Sequence, residues 1–226
     1  MYKGIIFVPF MTGKGGTETV IHNLFKAFDK NKIDMTVYSI GGSEDYEWTN
    51  GVKVKTQFIS NNRKLRTLYY LTCLPFKIKK IIKDQQPDFV ISTNPVMWLL
   101  DKRSIKSLHL NVPVIAWYHY SLSEKPIKPL FLQSADYFLA ISSGIKNQLS
   151  QLNFPTNKVK LIFNPVDSDY KPISRPQRSI KFIYLGRIDY DKQKNVSELI
   201  KACQDLRGNW TLELYGDEAK GQRVKS

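Results

Sequence analysis

The sequence predicts an α/β protein built on a parallel sheet, and three observations support this prediction. Short β-branched apolar runs alternate with amphipathic helical patterns, the first run enters a helix through a glycine turn, and the same order restarts after residue 179. The chain has 226 residues, of which 42% are hydrophobic, so it can form one large domain or one domain and part of another. We expect a complete doubly wound domain followed by the first βαβ unit of a second.

The first 167 residues contain seven strand patterns separated by helical ones. Most of the strand candidates are short and almost continuously apolar, as central strands of parallel sheets are. The candidates are Ile5–Val8, Met35–Ile40, Val52–Phe58, Asp88–Ser92, Val114–Tyr118, Tyr137–Ile141 and Val159–Phe163. The predicted helices are Thr17–Phe28, Leu65–Lys83, Val96–Leu108 and Gly144–Leu152. Pro75 should kink or break the second of these helices.

A proline-containing polar stretch, residues 168–179, predicts a linker between two domains. Beyond it we expect a strand at Ile180–Leu185, a helix at Val196–Leu206 and a strand at Trp210–Tyr215. A complete doubly wound domain needs about 100–150 residues. We therefore expect residues 1–167 to form the first domain and residues 180–226 to be the truncated start of a second.

The formal net charge of +14 favours a polyanionic partner: nucleic acid, an anionic membrane surface or a phosphorylated substrate. No RNA-binding, helix-turn-helix or zinc pattern supports nucleic acid, so we expect none as a partner. Cys73 and Cys203 lie in apolar helical patterns, which predicts reduced, packed thiols in a cytosolic protein. The chain has no signal-peptide pattern and no apolar run near the ~18 residues of a membrane span. We expect a cytoplasmic protein, with a peripheral position on the inner face of the cell membrane as an open alternative.

Residues 61–83 combine basic with aromatic and aliphatic side chains. The cations are Arg63, Lys64, Arg66, Lys77, Lys79, Lys80 and Lys83, and they interleave with Leu68, Tyr69, Tyr70, Leu71, Leu74, Phe76 and Ile78. Such a helix fits an anionic membrane interface or a lipid-phosphate acceptor. An ordinary surface helix with solvated lysines fits the pattern equally well.

The glycine-rich turn Thr12–Glu18 predicts an anion site. Glycines allow the backbone to approach a phosphate closely, and the N-terminus of the following helix favours negative charge. The turn lacks the Gly-Lys-Ser/Thr of a phosphate-binding P-loop, because Lys14 precedes Gly15, and Glu18 takes the third glycine position of the dinucleotide fingerprint. The alternative is a tight turn that binds no ligand.

Seven short motifs, in this order, resemble the GT4 group of retaining glycosyltransferases, which have the GT-B fold of two facing Rossmann-like domains. They are Gly15-Gly16-Thr17-Glu18, Trp117-Tyr118-His119-Tyr120-Ser121, Ala140-Ile141-Ser142-Ser143, Phe163-Asn164-Pro165-Val166-Asp167, Tyr184-Leu185-Gly186-Arg187, Lys194-Asn195 and Leu214-Tyr215-Gly216-Asp217. The sequence around His119 and Gln193-Lys194-Asn195 is most similar to the lipopolysaccharide α-1,6-galactosyltransferase branch. The resemblance covers essentially the whole chain.

The resemblance implies roles on the donor side of a transferase. Transfer from a nucleotide sugar needs stabilisation of the diphosphate leaving group as negative charge develops on it. By resemblance, Gly15 and Gly16 contact the diphosphate or the sugar, and Arg187 and Lys194 neutralise the diphosphate. Arginine suits forked phosphate contacts, whereas lysine acts as a point charge. The substrate is then a nucleotide sugar, with UDP-hexose expected.

The resemblance also implies catalytic and other cleft residues. His119 follows a strand, where ligands of α/β proteins bind, and matches the family histidine near the reacting sugar; a structural histidine is the alternative. Glu18 either acts near the acceptor or caps the first helical turn, and we expect a mixed role. Ser142 and Asn164 are further cleft candidates. The expected acceptor is a cell-surface glycan or a lipid-linked acceptor.

Two Asp-x-Asp sequences, Asp167–Asp169 and Asp189–Asp191, resemble the metal motif of the other glycosyltransferase fold. Both positions also fit the metal-independent GT-B pattern, so we expect no metal and no cofactor. The Glu-x7-Glu pair that this family places deep in its second domain has no counterpart in the chain.

Three hypotheses follow from these expectations. The first is a truncated hexosyltransferase of polysaccharide or lipopolysaccharide biosynthesis, inactive alone. The second is the acceptor-binding subunit of a split enzyme whose donor domain is completed by another polypeptide. An exposed apolar edge beside the strand Trp210–Tyr215 would favour this second hypothesis. A basic nucleic-acid-binding protein is a distant third, motivated by net charge alone.

Overall fold

The computed structural model describes residues 1–166, 171–172, 174, 179–190 and 194–216. The chain divides into two compact units, Met1–Ser168 and Asp169–Ser226. The predicted linker, residues 168–179, lies largely outside the described residues and stays a prediction, as do the predicted domain boundaries.

The first unit is built on seven parallel strands in the order β3-β2-β1-β4-β5-β6-β7. The strands are β1 (Tyr2–Val8), β2 (Ile33–Gly41), β3 (Val54–Phe58), β4 (Phe89–Ser92), β5 (Val114–Ala116), β6 (Tyr137–Ala140) and β7 (Val159–Leu161). All seven predicted strands are present, with ends that differ from the predictions by a few residues. The order reverses between β1 and β4, as in doubly wound sheets, which bind ligands where the order reverses.

Both faces of this sheet are covered, and β1 shows how the sequence achieves it. Ile5 and Phe7 point into one core cluster while Ile6 and Val8 point into another, because successive side chains of a strand alternate between faces. A strand buried on both faces must be apolar at every position, which is the pattern that identified these strands in the sequence.

Six helices connect the strands of the first unit: α1 (Gly16–Ala27), α2 (Arg63–Thr72), α3 (Leu74–Gln85), α4 (Pro95–Ser107), α5 (Pro129–Leu132) and α6 (Ser143–Gln151). Helix α1 packs on one face of the sheet through Val20, Ile21 and Phe25. Helices α3, α4 and α6 pack on the other face. Single-turn helices at Glu47–Thr49 and Thr156–Lys158, together with α5, were not predicted.

Two predictions about the segment around Cys73 need correction. The single helix predicted at Leu65–Lys83 is two helices, α2 and α3, which meet at Cys73. Pro75 occupies the first turn of α3, where a proline is tolerated because that N–H has no helical partner, so the predicted break occurs just before it. Both cysteines are free, but only Cys203 is buried; Cys73 is exposed rather than packed.

The second unit contains β8 (Ile180–Leu185), α7 (Val196–Gln204) and β9 (Trp210–Tyr215), with the two strands parallel and paired in register. This is the βαβ unit that the sequence predicted. Val196 and Cys203 of α7 are buried, whereas most of β8 is exposed. Among the described residues, no helix is long and apolar enough to cross a membrane.

Candidate active site

The carboxyl ends of the central parallel strands gather the predicted site residues of the first unit. Val8, Ser92, Ala116 and Ala140 end β1, β4, β5 and β6 at one edge of the sheet. The glycine turn follows β1, the segment with His119 follows β5, and Ser142 follows β6. Their common edge is where open α/β sheets bind ligands.

The glycine turn is held in place by the loop that follows β2. Met11 forms a β-bridge with Ser43, its N–H donates to the carbonyl of Gly42, and its own carbonyl accepts from Glu44. Gly13 has φ of 87°, and a Cβ on it would lie 2.3 Å from the carbonyl oxygen of Asp45. Only glycine fits such a conformation and such a close approach.

The two glycines that begin α1 differ in their surroundings. Gly15 is the N-cap, without a side-chain capping bond, and a Cβ on it would lie 2.6 Å from Oε2 of Glu18. A Cβ on Gly16 would meet no atom within 4 Å. Gly16 therefore faces open space at the start of a helix, the position that suits an anion or a sugar.

Glu18 is buried, with 4% of its surface exposed, and its side chain turns back toward the glycine turn. Its Oε1 accepts from the N–H of Gly13 at 2.9 Å and from Oγ1 of Thr12 at 3.2 Å. A glutamate at the third helical position that reaches back to an N–H before the helix resembles a capping box. The structure gives Glu18 a positioning role toward the turn, and its role near an acceptor stays a prediction.

His119 lies three residues beyond β5 and is largely buried. Its ring centroid is 4.7 Å from that of Trp117, and the planes meet at 53°. Burial lowers the pKa of His119 to about 4, so the imidazole is neutral at pH 7. Among the described residues, Nε2 of His119 and Nε1 of Trp117 are buried without a hydrogen-bond partner. Orphaned buried polar atoms are uncommon in proteins, and two neighbouring ones at a strand end mark a place for a ligand or water.

The segment after His119 is fixed by Gln148 of α6, a residue that the sequence did not single out. Its Oε1 accepts from the N–H of Leu122 at 3.0 Å, and its Nε2 donates to Oγ of Ser121 at 3.1 Å. Lys125 places its ammonium 3.3 Å from the ring centroid of Tyr120. No sequence signal links Gln148 to this segment, because the contact joins residues 26 or more positions apart.

The two further cleft candidates have structural surroundings of different kinds. Ser142 is the N-cap of α6, and its Oγ accepts from the N–H of Ile145 at 3.2 Å. Asn164 is exposed, in the segment after β7. Nδ2 of Asn23 on α1 donates to the carbonyl of Pro165 at 3.1 Å, which brings this segment to the helix that begins at the glycine turn.

A buried carboxyl lies beneath the same edge of the sheet. Asp101 of α4 is fully buried, and its Oδ2 accepts from Oγ of Ser92 at 2.6 Å. Burial raises the pKa of Asp101 to about 8, against the opposing effect of the Ser92 hydrogen bond. The backbone carbonyl of Ser92 also accepts from the indole of Trp98 and from the N–H of Trp117. Asp101 therefore supports the strand end from which the His119 segment departs.

Arg187 and Lys194 belong to the second unit and flank its βα turn. Both are exposed; Arg187 follows β8 by two residues, and Lys194 precedes α7 by two. The hydroxyl of Tyr184 donates to the carbonyl of Arg187 at 2.8 Å. Gly186 and Gly216 approach each other closely: a Cβ on Gly216 would lie 1.8 Å from the carbonyl oxygen of Gly186. The two cations thus stand where a strand ends and a helix begins, as anion-binding groups do.

Of the two Asp-x-Asp sequences, the structure describes only Asp189 and Tyr190. Asp167, Asp169, Asp191 and Gln193 lie outside the described residues. Asp189 is buried. In the part of the chain that the structure describes, no three histidine, cysteine, aspartate or glutamate side chains are grouped as a metal site requires.

Sequence comparison decides the family. The profile of Glycosyltransferase Family 4 matches residues 14–170, from within the glycine turn to beyond β7. The chain belongs to glycosyltransferase family 4. Its fold class, its transferase ancestry and the resemblance stated from the motifs are thereby confirmed.

Two lipopolysaccharide 1,6-galactosyltransferases are among the relatives of this family 4 chain. The Escherichia coli protein is 33% identical over 222 residues, which cover 96% of this chain and 60% of the relative. The Salmonella typhimurium protein is 29% identical, over 96% of this chain and 61% of the relative. The chain thus spans about three fifths of the length of these relatives.

Solved structures give the same fold. The lipopolysaccharide outer core galactosyltransferase WaaB, in its apo form, matches with a TM-score of 0.75 and 27% identity, over 96% of this chain and 61% of WaaB. Anabaena HepE in complex with UDP matches with a TM-score of 0.69 and 16% identity, over 96% of this chain and 62% of HepE. At 16% identity the likeness to HepE shows the fold alone, which is the GT-B type.

Proposed function

We propose that the chain carries the acceptor-side domain and the opening of the donor domain of a retaining hexosyltransferase. The donor is a UDP-hexose, with galactose favoured, and the acceptor is a glycan or lipid-linked acceptor of lipopolysaccharide or polysaccharide synthesis. The observation that carries this proposal is the pair formed by the glycine turn and His119 at one sheet edge. It occurs in a family 4 chain that is 33% identical to a lipopolysaccharide 1,6-galactosyltransferase.

On the donor side, Arg187 and Lys194 would neutralise the diphosphate as it leaves. Their position at the turn between β8 and α7 adds the partial positive charge of a helix N-terminus to their own. Charge stabilisation at the leaving group is the largest contribution that such a site can make. No metal is required for this role.

In the first unit, the open space at Gly16 lets the sugar or diphosphate of the donor approach the backbone at the start of α1. His119 is neutral, so its imidazole can donate or accept a hydrogen bond with a sugar hydroxyl without carrying charge into the site. Glu18 would keep the turn in the shape that leaves this space open. We assign a contact with the diphosphate or sugar of the donor to Gly16 and a contact with the reacting sugar to His119, with Glu18 as a positioning residue.

The chain spans 60% of the Escherichia coli relative, so the reaction itself belongs to a protein that contains the remaining part. The Glu-x7-Glu pair expected for ribose and sugar binding would lie in that part. We propose that this chain alone binds UDP through Arg187 and Lys194 and transfers little or no sugar.

Calorimetric titration of the chain with UDP tests this proposal. We expect saturable micromolar binding that Arg187→Ala weakens by at least about tenfold, because a charged hydrogen-bonding partner of the diphosphate is lost. Arg207→Ala is the matched control, since Arg207 is an exposed arginine on the other side of α7 in sequence. An absence of binding at millimolar UDP, or equal weakening by both variants, would refute the donor-side assignment.

A split enzyme is the second candidate, and the exposed apolar surface of β8 favours it. Ile180, Ile183 and Leu185 are each more than half exposed, and Leu185 is 76% exposed. In a doubly wound domain, further strands and helices would cover such residues. Mixing the chain with a separate polypeptide that supplies the rest of a donor domain should then produce transferase activity. A mixture without activity, and without complex formation by gel filtration, would exclude this candidate.

The proposed partners also include a membrane. Residues 61–83, which contain seven lysines and arginines and no aspartate or glutamate, would contact an anionic lipid surface peripherally on the inner face of the cell membrane. The net charge alone supports a nucleic-acid partner. A DNA-binding assay in which the affinity falls as the salt concentration rises would test for such a partner.

A further inference from the structure

We propose that a cleft at the edge where the strands of the first sheet begin binds a small organic phosphate with an aromatic body. The candidate active site lies at the opposite edge, where the strands end, so this inference goes beyond the proposed function. We call the new site the amino-edge cleft and define it by Ile105, Lys106, Leu110, Pro113, Tyr137 and Lys158.

The amino-edge cleft is formed by the starts of three neighbouring strands and by the end of α4. Pro113 precedes β5, Tyr137 begins β6 and Lys158 precedes β7, while α4 contributes Ile105 and Lys106 from its last turn. The volume of the cleft is about 560 Å³. Clefts that bind small molecules in proteins have volumes of about 300–1,000 Å³, so this one has room for an aromatic ring and a phosphate group.

The apolar side chains of the cleft offer a surface for an aromatic ring. Ile105 is buried in the core of the first unit, and Leu110 and Val112 are partly buried and pack against the same core. Tyr137 keeps 42% of its surface exposed. A ligand ring that packs against a tyrosine ring and aliphatic side chains gains stabilisation from both burial and ring contact.

The charged side chains of the cleft favour an anion. Three lysines and one aspartate line it, which gives a formal net charge of +2. The ammonium of Lys102 lies 2.5 Å from Oδ1 of Asp136, and Oδ2 of the same carboxylate accepts from the N–H of Val114 at 2.9 Å. Asp136 is therefore already engaged on both oxygens. Among the described residues, Lys106 and Lys158 have no acidic partner within ion-pair distance.

An alternative role for Lys106 is to complement the partial negative charge at the end of α4. The backbone already satisfies that end, because the N–H groups of residues 108–110 donate to the carbonyls of residues 104–106. His109, with φ of 54°, takes the left-handed conformation that commonly ends helices. This alternative also leaves Lys158 unexplained, since Lys158 belongs to the separate turn Thr156–Lys158.

A phosphate is the anion that matches these two lysines. A phosphate monoester carries close to two negative charges at pH 7, and each ammonium acts as one point charge with three donors. The apolar side chains beside the lysines give an organic phosphate an advantage over the inorganic ion. We therefore assign the phosphate contacts to Lys106 and Lys158, and the ring contact to Tyr137.

Calorimetric titration of the chain with phenyl phosphate tests this inference. We expect saturable binding that is at least about tenfold tighter than that of inorganic phosphate, which lacks the ring. Lys106→Gln/Lys158→Gln should weaken the binding of phenyl phosphate at least about tenfold, because both charged donors are lost. Both lysines are exposed, so this variant should keep the fold. Lys30→Gln/Lys146→Gln, which removes equal charge from exposed lysines elsewhere, should leave the affinity unchanged.

Two further variants locate the ring and separate this cleft from the donor side. Tyr137→Thr should weaken the binding of phenyl phosphate at least about fivefold and leave that of inorganic phosphate unchanged. Arg187→Ala should leave the binding of phenyl phosphate unchanged, so a failure of the proposed UDP site does not affect this test. An absence of saturable binding at millimolar phenyl phosphate, equal losses in the two lysine variants, or equal affinity for inorganic phosphate would overturn the inference.

Discussion

His119 should make the first unit sensitive to acid in a way that can be measured and removed. Burial lowers its pKa from 6.5 to about 4. Between these values the unfolded chain binds a proton that the folded chain does not, so unfolding is favoured increasingly as the pH falls. The contribution of neutral His119 to the free energy of unfolding is fully present above pH 6.5, and it is lost progressively as the pH falls from 6.5 toward 4.

The size of this effect follows from the two pKa values. Each unit of difference corresponds to about 1.4 kcal/mol, so the linked free energy between pH 7.5 and pH 4.5 is about 2.5 kcal/mol. His119→Gln keeps a polar side chain of similar length but cannot take up the proton. The variant should therefore lose about 2.5 kcal/mol less stability than the wild type over this pH interval.

Urea denaturation followed by tryptophan fluorescence provides the assay, since Trp98 and Trp117 are both buried in the first unit. The free energy of unfolding is compared at pH 7.5 and pH 4.5 for both proteins, with equal m-values required. An acid loss in His119→Gln equal to that of the wild type would refute the account of a buried neutral imidazole at this site.

Two further predictions concern residues near the same edge. Gly15→Ala should lower the free energy of unfolding by about 1 kcal/mol, because its methyl group would lie 2.6 Å from Oε2 of Glu18 and moving that carboxylate weakens the hydrogen bonds that its Oε1 accepts from Gly13 and Thr12. Gly16→Ala, whose methyl group meets no atom within 4 Å, should not lower it. Thermal unfolding compares the two variants, and equal losses would contradict the open space at Gly16. Between pH 5 and pH 7 the wild type should lose about 2–3 kcal/mol of its free energy of unfolding, and Asp101→Asn should not show this loss. The reason is that burial raises the pKa of Asp101 to about 8 in the folded chain, so that above pH 4 the unfolded chain releases this proton while the folded chain retains it. Urea denaturation at both pH values measures this difference, and parallel pH profiles of the two proteins would contradict it.

The sequence was sufficient for the central strands of the sheet, because strands buried on both faces must be apolar along their whole length. It was less informative for helices. Pro75 indicated a break in the predicted helix Leu65–Lys83, but not that the two halves would differ so much in burial. The four residues of α5 are too few to show a helical period.

For the site, the motifs identified His119, Glu18 and the glycines, but not their physical surroundings. The contact between Glu18 and Gly13 is local and could have been anticipated from a glutamate at the third position of a helix. The burial of His119 and of Asp101 depends on how distant elements pack. Asp101 looks like an ordinary polar position of a helical pattern, and only the fold places it against Ser92.

The most direct test of the central proposal is sugar transfer by a completed protein. Residues 1–216 of this chain would be joined to the remaining carboxyl-terminal part of the Escherichia coli relative, and transfer from UDP-galactose to a lipopolysaccharide core acceptor would be measured. We predict transfer by the chimera and a loss of at least about a hundredfold in kcat with His119→Ala, with UDP binding unchanged. A folded chimera that binds UDP and transfers galactose equally well with and without His119 would contradict the assignment of the active site.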